Sequence, residues 1–366
     1  MKPNLQRLKL KPHKLFHHLD EVQAWSKGDY FPPIWAELSV TDRCNQACWY
    51  CYVDYFNKTS KLHLADDKLP EVFVKLAEGG LKSIQIQGTG EPMMHPRIID
   101  GMEAGKKAGL SLAMYTNGSL NTEEKLKRVL PCLEWMRVSA LELTPDLYAR
   151  THGCDASQWK KVMDGVKASV RLREQYGFDT VLGAHVLALP YNYMHLPELI
   201  AILKDIGLDY IHIRSVQKSD VYTPDRNFDV QEYQHDFDLY REKIEAAQSL
   251  QDDSFLVIAR LDEFAITHQR FKKNYSFCHG LAFETVIDAD GEVYPCLHFW
   301  RNKEYSYGSI LEKSFEEVWR GQKRQEVLEK LETIHNLNEC TYACKHHHIN
   351  ETLWELAHPP MHVNFL

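Results

Sequence analysis

No stretch of this 366-residue chain approaches the roughly 20 consecutive apolar residues of a membrane-spanning helix. The start, Met1 to Lys14, is basic and polar and lacks the apolar core of a secretory signal. Basic residues are not in excess. There are 43 Lys and Arg against 51 Asp and Glu, a net charge of −8, which argues against nucleic acid as the main partner. Cysteine is sparse as well: nine residues, an odd count, are too few for a disulfide scaffold at this length. There is no repeat of fixed period and no low-complexity tract. The chain reads as a cytoplasmic protein with no membrane association.

What is present is strand–helix alternation. Short apolar runs at Ile34–Val40, Leu81–Gln87, Leu110–Thr116, Trp135–Leu141, Thr180–Leu189 and Tyr210–Val216 read as strands. Amphipathic stretches at Leu69–Glu78, Pro96–Ala108, Thr122–Val129, Ser157–Tyr176 and Met194–Ile206 read as helices between them. Gly79-Gly80, Gly109 and Gly207 stand where left-handed helix ends are expected. The pattern predicts an α/β fold: a partial (β/α)6 TIM-like barrel, with its chemistry at the C-terminal ends of the strands.

The expected division is an N-terminal extension over 1–30, the barrel over 31–222 and a helical connector over 223–270. A small α+β domain follows over 271–348, then an apolar tail over 349–366 expected to dock on the barrel. Phe255–Ile258 is one further candidate strand, and Asp288-Ala289-Asp290-Gly291 reads as a hairpin turn.

Seven cysteines fall into spaced groups, which favours metal ligation in a reducing compartment. Cys44, Cys48 and Cys51 stand as C-x3-C-x2-C in the loop after the first strand. Three thiolates on one short loop hold three corners of a cubane iron–sulfur cluster and leave one iron open. Structural zinc wants four closed ligands, and the local set stops at three. Tyr50 supplies an aromatic ring against which a purine can pack. Cys278, Cys296, Cys340 and Cys344 form a second set, able to close a cluster completely or to hold zinc. Cys132 and Cys154 are left as packing thiols.

The run Thr41-Asp42-Arg43-Cys44-Asn45-Gln46-Ala47-Cys48-Trp49-Tyr50-Cys51 resembles the signature of the radical S-adenosylmethionine (radical SAM) superfamily. The resemblance implies a [4Fe–4S] cluster on Cys44, Cys48 and Cys51 whose open iron binds S-adenosyl-L-methionine. It also implies cleavage of that cofactor to a 5′-deoxyadenosyl radical, with Tyr50 near the adenine. Gly88-Thr89-Gly90-Glu91-Pro92, one strand later, resembles the family's GGEP motif. By that resemblance Gly88, Gly90, Glu91 and Pro92 line the cofactor and Glu91 accepts from its ammonium. Asn117 and Ser139 match positions contacting its ribose or carboxylate, and Arg214 is a candidate carboxylate partner.

The spacing C-x12-G-x4-C from Cys278 through Gly291 to Cys296 resembles the SPASM extension in its abbreviated twitch form. With Cys340 and Cys344 it implies one auxiliary [4Fe–4S] cluster. Adjacent His346, His347 and His348 cannot all face one point, so solvated surface or local hydrogen bonding is expected, with His346 the one able to approach the cluster. His152, His185 and Asp146 are proton-handling candidates only by their nearness to the barrel mouth.

Tyr307–Ile310, Phe315–Trp319 and the closing residues resemble members acting on carbohydrates and aminocyclitols. The expectation is hydrogen abstraction from a small polyhydroxylated substrate. Dehydrogenation would use the auxiliary cluster as electron acceptor; dehydration and epimerisation are the neighbouring outcomes. A flavodoxin- or ferredoxin-type donor would reduce the first cluster. The alternative is peptide maturation, against which stands the short stretch of about 30 residues before Ile34, too short for a peptide-docking module.

Overall fold

The computed structural model describes residues 12–216, 237–259, 261, 273–334, 336–340 and 344–364. Its centre is a ten-stranded sheet in the order β10-β9-β8-β1-β2-β3-β4-β5-β6-β7. Six parallel strands carry the barrel: β1 Trp35–Leu38, β2 Ser83–Ile86, β3 Ser111–Thr116, β4 Leu133–Val138, β5 Val181–Leu187 and β6 Tyr210–Arg214. Helices at Leu69–Glu78, Ile98–Lys107, Glu123–Val129, Ser157–Tyr176 and Leu196–Ile206 connect them. The expected α/β partial barrel is the observed architecture.

Each strand alternates, and the two faces differ in kind. Ala36, Leu38, Ile84, Ile86, Leu112, Met114, Met136 and Val138 point into the core shared with the helices. Most positions on the other face are polar: Glu37 pairs in register with Gln85, Tyr115 with Arg137, and His185 with His212, with Ala113 an apolar exception. A parallel sheet covered on both faces normally reads as continuous apolar runs. Here one face carries buried and half-buried polar side chains instead.

The sheet does not stop at six strands. β7, Leu256–Ala259, adds parallel to β6, and the helix Phe237–Gln248 packs against Leu196–Ile206. The described part of the expected connector therefore continues the barrel's strand–helix rhythm; 223–236, 260 and 262–270 lie outside the described residues. On the other edge, β8 (Glu284–Ile287) runs parallel to β1, and β9 (Glu292–Tyr294) and β10 (Gly308–Ser309) follow as antiparallel strands. The turn at Asp288–Gly291 closes β8 onto β9, with Gly291 at φ 79°. The small C-terminal domain is thus joined to the barrel by the sheet itself.

Helix ends follow the glycine rule with one displacement. Gly109 and Gly207 take positive φ, whereas at the end of Leu69–Glu78 it is Gly80, not Gly79, that turns left-handed. A Cβ on Gly80 would also press on Pro32 at 2.7 Å. The last described helix, His347–Ala357, buries Asn350 and Leu353, Leu353 packing with Leu15 and Phe283. Beyond it the tail departs from the docking expected of it. Residues 358–364 are exposed throughout, Met361 at 88%. The helix spends its apolar face on Leu353, and Pro359-Pro360 end the repeat before the tail can return. Phe365 and Leu366 lie outside the described residues.

Candidate functional site

The loop carrying Cys44, Cys48 and Cys51 leaves β1 and is held from four sides. Asp42 exchanges bonds with Leu62: its N–H donates to the Leu62 carbonyl at 2.8 Å, and its Oδ2 accepts from the Leu62 N–H at 2.9 Å. The Glu91 N–H donates to Arg43 O at 2.9 Å, and the Ala47 N–H to His152 O at 2.9 Å. Asn45 donates to Ser119 Oγ and accepts from Asn117 Nδ2. Gln46 donates to Tyr148, and the Trp49 indole N–H to Tyr191, both at 2.8 Å.

Burial raises the pKa of the Cys44 and Cys48 thiols, and the charge of Cys51 pushes Cys48 further. Such thiols do not ionise together by themselves; a cationic cluster reverses that balance. The donor set therefore fits a metal cluster.

Gly88 and Gly90 are explained by this loop. A Cβ on Gly90 would lie 2.3 Å from Arg43 O, and one on Gly88 2.5 Å from Ser39 Oγ. The two glycines let the turn after β2 lie flat on the cysteine loop. Glu91 is 3% exposed and brackets β3 to that turn. Its carboxylate accepts from the Thr116 hydroxyl at 2.7 Å, the Asn117 N–H at 2.6 Å and the Met93 N–H at 3.0 Å. The oxygens expected to meet the cofactor's ammonium are engaged by the chain. Pro92 opens the 3-10 turn that this bracket caps. Asn117 touches the cysteine loop through Asn45. Ser139, half-buried, is tied by its N–H to Thr116 O.

His152, read as a residue near the mouth, is fully buried and meets Cys48 Sγ through Nδ1 at 3.1 Å. Its Nε2 donates to Ala140 O, and Tyr50 and Tyr148 pack on its ring. Burial holds its pKa down to about 4. Asp146 lies in the first turn of the helix Pro145–His152, where it suits the helix N-terminus.

On the polar face Arg137 is the centre. It donates to Tyr210 and Tyr115 at 2.8 and 2.6 Å and to His185 Nε2 at 2.9 Å. Burial, then the charges of Arg137, His212 and Arg214, hold His185 well below its ordinary pKa and therefore neutral. Tyr52, next to Cys51, is pushed up by burial and by the charges of Glu37 and Cys51, with Lys345 and Arg214 opposing. Groups from the cysteine loop, the sheet face and the C-terminal domain thus act on one phenol.

The second cysteine set also comes together. Burial raises Cys296, and the charges of Cys278, Cys344 and Cys340 raise it further. Burial raises Cys344, and pushes Cys340 up to about 12. Cys278 differs. Burial works against its thiolate, yet bonds from His346 and Asn350 bring its pKa below the ordinary value.

Sequence reasoning missed the ion pairs running from this set to the polar face. His346 is 2% exposed rather than solvated, its Nδ1 3.8 Å from Cys278 Sγ and its Nε2 2.5 Å from Glu284. Glu284 pairs with Lys345, and Lys345 reaches Glu37 Oε1 at 2.5 Å. Glu37 Oε2 meets no donor among the described residues. A Glu in β1 and a Lys beside Cys344 were visible signals; their meeting was not. His347 faces Tyr275, and His348 is exposed.

Residues 38–183 match the Radical SAM superfamily, and residues 278–345 match an iron–sulfur cluster-binding domain, SPASM. The chain is similar to a tungsten-containing aldehyde ferredoxin oxidoreductase cofactor-modifying protein of Pyrococcus furiosus. They share 28% identity over 313 residues, covering 78% of this chain and 80% of that one. A probable GTP 3′,8-cyclase of Methanococcus vannielii is 26% identical over 265 residues, 71% and 83% of the two chains.

Among solved structures, Streptococcus suis SuiB bound to S-adenosylmethionine aligns with a TM-score of 0.63 at 14% identity. That alignment covers 89% of this chain and 74% of SuiB. Native anSMEcpe with bound AdoMet aligns at 0.58 and 16% identity, covering 88% and 99%. The radical SAM domain binds a [4Fe–4S] cluster and S-adenosylmethionine, and the SPASM domain binds auxiliary iron–sulfur cluster. No helix among the described residues is long and apolar enough to cross a membrane. With its partial barrel and its joined C-terminal domain, the chain is a radical SAM enzyme carrying a SPASM domain.

Proposed function

We propose that this enzyme dehydrogenates a small polyhydroxylated molecule held on the polar face of the sheet, between its two cysteine sites. Cys44, Cys48 and Cys51 hold the cluster with the open iron, and Tyr50, Gly88, Gly90, Glu91, Pro92, Asn117, Ser139 and Arg214 form the wall around its cofactor. Cys278, Cys296, Cys340 and Cys344 hold one auxiliary cluster. When bound, the cluster and S-adenosylmethionine would supply hydrogen abstraction at a carbon bearing a hydroxyl, and the auxiliary centre would take up the one electron released as that carbon becomes a carbonyl, with one proton left for the chain to accept. Glu37 takes the proton: it is buried on the same face with one oxygen that meets no donor among the described residues.

The observation that carries this reading is the polar, donor-rich face itself. Gln85, Gln87, Tyr115, Arg137, His185, His212 and Arg214 offer hydrogen bonds suited to hydroxyls and ring oxygens. Similarity to a cofactor-modifying protein and to a GTP cyclase favours a small molecule with a sugar or sugar-like part. Peptide maturation is the second reading. It draws on SuiB with its precursor peptide, a likeness of fold alone.

The test is anaerobic turnover of the reconstituted enzyme with panels of nucleotides, amino sugars and short peptides, reading deoxyadenosine above the substrate-free rate. Stimulation by a nucleotide or sugar, with an oxidised product two hydrogens lighter, is expected. Stimulation by peptides alone overturns the reading.

A further inference from the structure

We propose that Asn350 is a positioning residue of the auxiliary centre, whose N–H bond to Cys278 raises the reduction potential there so that it accepts an electron. The proposal rests on the reading that Cys278 is a ligand of that centre. Asn350 lies outside the segment that matches the SPASM domain, in the first half of the helix His347–Ala357.

The geometry leaves the amide one orientation. The Gly280 N–H donates to Asn350 Oδ1 at 2.8 Å, which fixes the oxygen and turns the amide nitrogen the other way. That nitrogen donates to Cys278 Sγ at 3.2 Å. Asn350 is 1% exposed, so no water competes for either bond. Gly280 also lies close under His346, where a Cβ would come within 3.0 Å of the ring. The Leu281 N–H donates to the Cys278 carbonyl at 3.4 Å and closes the turn that carries the sulfur.

Donors aimed at a ligating sulfur draw charge from it and favour the reduced cluster, one of the protein's levers on potential. A buried amide held on the Cys278 sulfur from a fixed carbonyl anchor suits a centre that accepts an electron. A centre that merely anchored substrate would have no use for a buried amide pinned on one sulfur.

The test is an EPR-monitored redox titration of the reconstituted full chain, comparing wild type, Asn350→Asp and Asn350→Ala. Asn350→Asp keeps the acceptor for Gly280 and removes the N–H donor. Both variants are expected to keep their iron and to shift the auxiliary midpoint to more negative potential, with the first cluster's midpoint unmoved. An unchanged auxiliary midpoint in Asn350→Asp with full iron overturns the proposal.

Should the variants fail to hold the cluster, wild type labelled with ¹⁵N-asparagine decides. Hyperfine spectroscopy of the reduced auxiliary cluster then gives a weak ¹⁵N coupling if the bond exists, and none if the proposal is wrong. Wild type with no second cluster at all sinks the underlying ligand reading, an outcome separate from an unmoved potential.

Discussion

Arg301 of the C-terminal domain donates to both oxygens of Asp42, two residues before Cys44, at 2.6 and 3.2 Å. It also reaches both oxygens of Asp288 at the β8–β9 turn and lies over the Phe56 ring at 4.3 Å. Asp42 is 3% exposed and Asp288 fully buried. The guanidinium therefore clamps the first cysteine loop to the domain that carries the second set.

Removing one partner of a buried ion pair leaves an uncompensated charge and costs about 3–5 kcal/mol. Arg301→Ala is expected to lower stability by that order in chemical denaturation. Burial works against the Asp42 carboxylate, but Arg301, Thr89 and Ser60 outweigh it and hold its pKa below the ordinary value. Its contribution is thus present at neutral pH and lost as pH falls through that lowered pKa. Wild type and the Ala variant should converge in acid. Equal stability at pH 7 would contradict the clamp.

Gly90→Ala tests the packing of the cysteine loop. The new Cβ meets three backbone atoms of residues 41–43 at 2.7 Å or less, none of which is the end of a flexible side chain. Overpacking of this kind costs typically about 1–3 kcal/mol and moves backbone. The first cluster should be lost selectively, with the auxiliary iron retained, as read by iron analysis and EPR. Full iron in Gly90→Ala would show that the close approach is not needed.

Glu142 gives a pH signature through a residue that is not itself a cysteine-loop residue. It is 2% exposed, accepts from Thr151 and twice from Asn192, and burial raises its pKa to about 7. Its folded pKa lies above the ordinary 4.5, so the folded state holds the proton more tightly. The linked stability is present below the ordinary value and lost as pH rises through about 7. The difference converts to about 3 kcal/mol. Between pH 5 and pH 8, wild type should lose about that much relative to Glu142→Gln. Parallel pH profiles would contradict the assignment.

Glu37→Gln separates hydrogen abstraction from oxidation. The variant should still cleave S-adenosylmethionine, while oxidised product falls by about 10²-fold or more, as expected when a general base is removed. An equal loss of deoxyadenosine would mean that Glu37 serves the architecture instead.

The sequence made the periodic parts of this molecule readable. The helices Leu69–Glu78 and Ser157–Tyr176 were legible to the residue, and the six barrel strands to within their ends, because each repeats its apolar residues at a fixed period. The two cysteine groups were legible because thiols are scarce and their spacing is chemical. What escaped depends on distant meetings. Lys345 looks like an ordinary cation until Glu37, 308 residues away, faces it. Asn350 is one polar residue in an amphipathic helix, His152 one histidine among 19, and neither carries a local signal of its sulfur partner. The joining of β8 to β1 is a sheet register, which neither strand encodes alone. Within the expected docked tail, Leu353 does pack, while the exposed residues 358–364 depart from an expectation drawn from composition, since apolar residues do not say whether a surface awaits them.

The most direct test of the account is iron content and cofactor cleavage measured together, on wild type and on a Cys44→Ala, Cys48→Ala, Cys51→Ala variant, both reconstituted anaerobically and reduced. Wild type should hold about eight iron per chain and form deoxyadenosine; the variant should keep about four, in the auxiliary centre, and form none. About four iron in wild type, or deoxyadenosine from the variant, would contradict it.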